Sequence, residues 1–407
     1  MQKRNLLVGQ SGGPTAVINA SLAGVIDYGI NSGKFEKVIG TVCGVYGILS
    51  EDFVDLSKFK NPDKINILKQ TPSSYLGSCR FKIDESGDIC EKILGIFKKH
   101  NIGTFVYIGG NDSMDTVDKL SRYARANGND ISIVGVPKTI DNDLILTDHT
   151  PGYASAAKYV ANSIRQLALD VSAYKADSVI VAEMMGRNAG WLTAAAALAN
   201  DDIISPVDII CLPEKPFDVR SFLEKSAAVI DKKKTTIIAV SEGICNKDGD
   251  YVAASVTSRS KNDGFRHIAL GGVGRYVENL INTNLGVKTR TIEFSTLQRC
   301  NAQTASLCDV NEAFEQGRYG AKLGAEGAQG VMVGITREQT PEYKISLESF
   351  DVSLIANKEK QIPDNMLRED GFGVTDEYIK YAMPLIQGSP DIIYKNGLMQ
   401  FETRNMN

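Results

Sequence analysis

Histidine is scarce in this chain, with three in 407 residues, and no HExxH pair occurs. That argues against a zinc site. No CxxC pair occurs either; seven cysteines at irregular spacing suit reduced cytoplasmic thiols better than a disulfide framework. No apolar run approaches the roughly 18–20 residues that a membrane-spanning helix needs. The apolar stretch after Met1-Gln2-Lys3-Arg4 is too short for a secretory leader, and no cleavage pattern follows. The chain is therefore expected in the cytoplasm, without a membrane. Both the dinucleotide fingerprint GxGxxG and the Walker loop are missing, which sets aside a nicotinamide dehydrogenase. A net charge of −4 argues against nucleic acid as the main partner. There is no low-complexity segment and no short tandem repeat.

What is present is a repeated order of short apolar strand, polar or glycine-rich turn, and helix. Leu6 to Gly9 leads into Gln10-Ser11-Gly12-Gly13-Pro14 and a helical pattern from Ala16 to Ile30. Thr104 to Ile108 leads into Gly109-Gly110-Asn111-Asp112-Ser113, with Asp112 or Ser113 placed to cap the helix that follows. Ile131 to Val136 leads into Pro137-Lys138-Thr139-Ile140-Asp141-Asn142-Asp143. The alternation resumes at Tyr153, with strands at Ser178–Ala182, Ile209–Leu212 and Thr236–Ser241 and a helix from Gly271 to Asn282.

Such alternation predicts parallel sheets with helices on both faces. The length favours two domains. The expected fold is two Rossmann-like α/β domains with mostly parallel sheets flanked by helices, and the active site in the cleft between them. One domain is expected to comprise 1–152 with about 298–335, because Gly330–Ile335 again reads as a buried strand. The other is expected to comprise 153–297 with about 336–407.

Ligands of open α/β sheets bind at the carboxyl ends of strands, where these turns lie. The glycines of the first turn let backbone N–H groups approach a phosphate, although a plain strand-to-helix turn fits the same residues. Asn111 and Asp112 offer oxygen to magnesium, and also suit a helix cap. In the third turn, Asp141 and Asp143 could divide labour between accepting a proton and holding magnesium. Lys138 could neutralise a transferring phosphoryl group. A solvated Asx-turn remains the alternative.

Taken together, the motifs resemble those of the 6-phosphofructokinases. Ser11-Gly12-Gly13, Leu76-Gly77-Ser78-Cys79-Arg80, Gly109-Gly110, Thr139-Ile140-Asp141-Asn142-Asp143, Met185-Gly186-Arg187, Ser241-Glu242-Gly243 and Gln298-Arg299 follow that family's order across residues 1 to about 335. The tail from Ile355-Ala356-Asn357-Lys358 to Pro384-Leu385-Ile386 resembles the longer, pyrophosphate-using branch. The resemblance implies a magnesium-dependent phosphotransferase acting on fructose 6-phosphate, as a homodimer or homotetramer. It implies that Asp141 is the base toward the sugar 1-hydroxyl. Thr139, Ile140, Asp141, Met185, Gly186, Arg187, Glu242, Arg290, Thr296 and Arg299 fall at sugar-phosphate positions. Gly12, Arg80 and Lys138 fall on the phosphoryl-donor side, and Asn111 and Asp143 at the metal.

The donor turns on two positions. ATP-using members of the family carry glycine where this chain has Asp112 and Lys138; pyrophosphate-using members resemble this chain at both. A carboxylate about 4 Å from a nucleotide α-phosphate would cost roughly 4 kcal/mol at an effective dielectric near 20, about three decades in affinity. Pyrophosphate has no α-phosphate. The rival readings are an ATP-dependent 6-phosphofructokinase and a non-catalytic regulatory subunit, the latter opposed by the retained Asp141 and Asp143.

Three positions depart from the family. Asn111 stands where an aspartate is common. Thr296 stands where a histidine or tyrosine often meets the sugar, which leaves sedoheptulose 7-phosphate open as a second acceptor. Ser178 stands where an arginine reaches the neighbouring subunit's site in ATP-using bacterial enzymes; Lys175 is the nearby basic residue that could substitute.

Overall fold

The structure is a computed structural model, which describes residues 3–84, 86–174, 177–252 and 272–404. Lys175 and Gly271 lie outside the described residues. Among the described residues, eleven strands form two main sheets, β1 Asn5–Gln10, β2 Val38–Thr41, β3 Phe53–Asp55, β4 Ile102–Gly109, β5 Ser132–Pro137, β6 Ser178–Met184, β7 Val207–Cys211, β8 Thr235–Ser241, β9 Thr289–Glu293, β10 Gln329–Arg337 and β11 Ile345–Asp351, and a short hairpin pairs Tyr394–Lys395 with Leu398–Met399.

The larger sheet runs in the order β3-β2-β1-β4-β5-β10-β11. Its five inner strands are parallel and both edge strands are antiparallel. Alternate residues of each inner strand serve opposite faces, as the pleat requires. Leu7, Phe105, Tyr107 and Ile133 enter one core; Leu6, Val8, Val106, Ile108, Val134 and Val136 enter the other. Burial on both sides explains why these strands read as continuous apolar runs. Helices Ile18–Asn31 and Leu307–Ala325 cover one face together. Their approach is so close that a Cβ on Gly24 would lie 1.9 Å from the Phe314 carbonyl oxygen. One on Gly317 would lie 1.9 Å from that of Ser21.

The smaller sheet is all parallel, in the order β7-β8-β6-β9. Ile180, Ala182, Ile237 and Ala239 face one core, and Val179, Val181, Ile238 and Val240 the other. Helix Tyr153–Ser172 covers the first of these faces. Its amino end is fixed by the buried Asp309 carboxylate, which accepts from the N–H groups of Gly152 at 3.0 Å and Ser155 at 2.9 Å. After β6 a short α-helix, Trp191–Ala194, continues as a 3₁₀ helix over the alanine-rich Ala195–Ala199.

The expected return of the chain to the larger sheet occurs at β10, which pairs with β5. The segment 336–407, expected with the second domain, is shared between the two layers. β11 folds back antiparallel onto β10 and so closes the edge of the larger sheet. The chain then crosses to the other core, where Ile362, Leu367, Tyr378 and Leu385 are buried. It finally returns, and Gln70 holds it through the Ile393 N–H at 2.9 Å and the Gln400 carbonyl at 2.7 Å. A tail this polar finds its partners by wrapping both layers, which no local pattern records.

Candidate active site

In the larger sheet the chain departs in opposite directions from the β1–β4 pair, which makes their carboxyl ends a topological switch point. The turns after β1, β4 and β5 open there, and the turns after β6 and β8 face them. Together they line a cavity of about 560 Å³.

The first turn is laced to the loop at Gly77–Arg80. Gly12 N–H donates to the Cys79 carbonyl at 3.2 Å, and Ser78 Oγ donates to the Gly12 carbonyl at 2.5 Å. The helix after β4 spans Asn111–Ala126, and its N-cap is Gly110, with no side-chain cap. The expected capping role of Asp112 or Ser113 is therefore corrected. Gly110 takes the extended cap conformation, so Asp112 falls in the first helical turn and lines the cavity. A carboxylate is favourable there because the helix dipole presents its positive end.

Lys138 is buried, and its Nζ donates to the Gly13 carbonyl at 2.5 Å. Burial pulls its pKa down to about 8; the Asp141 carboxylate works against that and the Arg299 guanidinium with it. Thr139 Oγ1 donates to Asp141 Oδ2 at 3.2 Å and accepts from the Asp141 N–H at 3.1 Å. Burial also raises the pKa of Asp141, against that hydrogen bond and the positive charge of Lys138. Asp143 is pushed up to about 7 by burial and by the charge of Asp141. Its Oδ1 is buried without a hydrogen-bond partner.

The opposite wall is built by contacts between two turns. Gly186 N–H donates to Glu242 Oε1 at 3.3 Å, and Ser241 Oγ donates to the Gly186 carbonyl. Gly243 must be glycine, since a Cβ there would lie 1.8 Å from the Arg187 carbonyl oxygen. Buried Gln298 accepts from the Met185 N–H at 3.3 Å and so fixes the Met185–Arg187 turn. Burial raises Glu242 to about 7, and the nearby Asp141 adds to the rise. Arg80, Arg187 and Arg299 lie close enough that the last two depress the pKa of Arg80, after burial, while Asp112 opposes them. Arg299 Nε is buried without a partner. Several cations converging on one cavity suit a polyanion.

Of the residues singled out in the sequence, Gly12, Arg80, Asn111, Asp112, Lys138, Thr139, Ile140, Asp141, Asp143, Met185, Arg187, Glu242 and Arg299 line this cavity. Gly186 stands just behind it, through its bond to Glu242. Arg290 and Thr296 do not line it: Arg290 is exposed on β9, the edge strand, and Thr296 is exposed before the short helix Leu297–Cys300. Asn111, expected at the metal, is occupied by the tail. Its Oδ1 accepts from the Asn357 N–H at 2.8 Å and its Nδ2 donates to the Lys358 carbonyl at 2.6 Å. Lys82, Asn188, Asn357 and Glu359 also line the cavity and were missed. Lys82 follows Arg80 at i+2, a signal that could have been read; Asn357 stands in the tail motif, which named a branch but no place in the cavity, and Asn188 and Glu359 carried no signal.

The fold and cavity define an α/β phosphate-handling enzyme with a carboxylate pair at a strand end. The Phosphofructokinase family model matches residues 5–320, and the chain belongs to that family. It is 39% identical to a pyrophosphate–fructose 6-phosphate 1-phosphotransferase of Xanthomonas campestris, over 98% of this chain and 96% of the relative. It is 37% identical to the protein of that name from Methylococcus capsulatus, over 99% and 96%. Among solved structures, a pyrophosphate-dependent phosphofructokinase from Nitrosospira multiformis superposes with a TM-score of 0.89 at 36% identity. That match covers 98% of this chain and 96% of the other.

Proposed function

We propose that this chain transfers a phosphoryl group from pyrophosphate to the 1-hydroxyl of fructose 6-phosphate, reversibly, giving fructose 1,6-bisphosphate and phosphate. The observation that carries this reading is the presence of Asp112 and Lys138 in one cavity with Asp141. The names of the two relatives and of the solved structure support it.

Asp141 takes the proton from the sugar 1-hydroxyl as O1 attacks the terminal phosphorus. The bond from that phosphorus to the bridging oxygen breaks, and phosphate leaves. Thr139 orients the Asp141 carboxylate through their hydrogen bond. Arg187, Arg299 and Glu242 hold the sugar phosphate with Ile140, Met185 and Gly186, while Gly12, Arg80, Lys82 and Lys138 hold pyrophosphate. Guanidinium forks suit phosphate oxygens, and fixed positive charge carries most of the catalysis in phosphoryl transfer.

Magnesium fits this donor set at Asp143, whose buried Oδ1 has no partner and whose charge is disfavoured beside Asp141. The bound cation supplies positive charge to the phosphoryl oxygens. Asn111 is engaged by the tail, so Asp143 is the protein ligand we assign.

A homo-oligomer suits the position of Arg290. The arginine is exposed on an edge strand outside its own cavity, where it can serve a neighbouring copy. A cytoplasmic location suits seven cysteines that are all free. No helix among the described residues is long and apolar enough to cross a membrane.

The pair Asp112→Gly, Lys138→Gly tests the donor assignment. It should lower kcat/KM for pyrophosphate by about 10²-fold or more, since it removes a phosphate-facing cation. Unchanged kinetics would refute the roles given to both residues.

A further inference from the structure

The tail segment Asn357–Lys360 crosses the cavity, and its last residue joins both walls. The Lys360 N–H donates to the Asp143 carbonyl at 2.7 Å. Its ammonium donates to the carbonyls of Asp148 at 2.8 Å and Thr147 at 3.1 Å, and reaches Asn142 Oδ1 at 3.5 Å. Its own carbonyl accepts from Trp191 Nε1 at 2.9 Å, and the ammonium lies 5.2 Å from the centre of the Trp191 ring. Trp191 begins the helix that follows the Met185–Arg187 turn.

We propose that Lys360 is a positioning residue for the carboxylate turn, holding Asp141 and Asp143 in place through the backbone of residues 142–148. The proposal rests on the phosphoryl-transfer reading above, in which Asp141 is the base. The turn is anchored at its start by the segment just before helix Tyr153–Ser172, where the Thr139 N–H donates to the Pro151 carbonyl at 3.2 Å and Thr150 Oγ1 donates to the Thr139 carbonyl at 3.0 Å. The backbone has left regular structure after Pro137, so the turn depends on such contacts. Asn142 sits at φ +54°, a left-handed conformation that ordinary side chains avoid. Lys360 takes up this far end, with one backbone hydrogen bond to Asp143 and a buried ammonium that donates to carbonyl and amide oxygens, while the Asp148 and Asp143 charges nearby favour its charged form. Burying an ammonium without a paired carboxylate is costly, and an apolar side chain could fill the same space without that cost. What the ammonium adds is direction: it aims several oxygens of one loop at one point. Misplacement of a reacting group by about 1 Å costs on the order of 10²-fold in rate.

The test uses the full chain with pyrophosphate, fructose 6-phosphate and magnesium. Lys360→Met should lower kcat by about 10- to 100-fold and leave the KM of both substrates within about threefold, because the loss falls on the geometry of reaction. The same substitution in an Asp141→Ser background should lower kcat by clearly less than it does in the parent, since part of its effect passes through Asp141. Trp191 is the single tryptophan of the chain, so its fluorescence reports whether the folded variant has lost the ammonium from that site. If Lys360→Met does not melt cooperatively, Lys360→Gln keeps N–H donors without the charge and carries the same expectations at smaller amplitude. Unchanged kcat in a folded variant, or an equal further loss in the Asp141→Ser background, would overturn the proposal. An inactive parent would overturn the functional reading and this proposal with it; an active parent with an equally active variant would overturn this one alone.

Discussion

Asn111 and Lys358 are 247 positions apart and are joined by a 2.6 Å hydrogen bond from the Asn111 amide to the Lys358 carbonyl. The other half of the amide accepts from the Asn357 N–H. The amide donates and accepts at once, which a carboxylate cannot do. Asn111→Asp would set a carboxylate against the Lys358 carbonyl and lose the donor. The expected result is a loss of about 1 kcal/mol or more in stability and a lower kcat, read by thermal melting and steady-state kinetics. A variant as stable and active as the parent would show that the tail does not depend on this contact.

Asp141 is the group whose removal should matter most to chemistry. Asp141→Ser should lower kcat by about 10²- to 10⁴-fold, the usual worth of a placed general base. The KM for fructose 6-phosphate should change far less. Turnover near that of the parent would remove Asp141 from the mechanism.

The sequence carried the strand–turn–helix order and most of the cavity because both are local. A strand end followed by polar residues is readable within ten positions, and the parallel sheet then brings such ends together. The tail was not readable in this way. Its strand Ile345–Asp351 is half exposed, and Asn357, Glu359 and Lys360 gain their meaning only from residues more than a hundred positions away. Arg290 and Thr296 were placed by motif order alone, and motif order does not say whether a residue faces its own chain's cavity.

His149 predicts how stability depends on pH. It is buried between Asp148, 2.8 Å from Nδ1, and Glu312, 2.6 Å from Nε2. Burial lowers its pKa, but the charges of Glu312 and Asp148 outweigh that and raise it to about 9. The folded state therefore holds a proton that the unfolded chain releases near pH 6.5. This contribution is fully present below about pH 6.5 and is lost as pH rises toward about 9, a change on the order of a few kcal/mol. Denaturant unfolding across that range should show a fall in the parent that is flattened in His149→Gln. Parallel curves for the two proteins would contradict this account.

Arg290 separates a self-contained protomer from a shared site. If one copy lends Arg290 to its neighbour, Arg290→Ala and Asp141→Ser proteins should each be nearly inactive. Unfolded and refolded together in equal amounts, they should recover about a quarter of parental activity, from mixed pairs holding one intact site. Mixtures no more active than the separate variants would place Arg290 outside any shared site.

The central claim is the choice of donor, and the ratio of kcat/KM for pyrophosphate to that for ATP measures it most directly, with fructose 6-phosphate and magnesium saturating. The charge of Asp112 predicts a ratio of about 10³ or more in favour of pyrophosphate. A ratio near one, or one favouring ATP, would contradict the account.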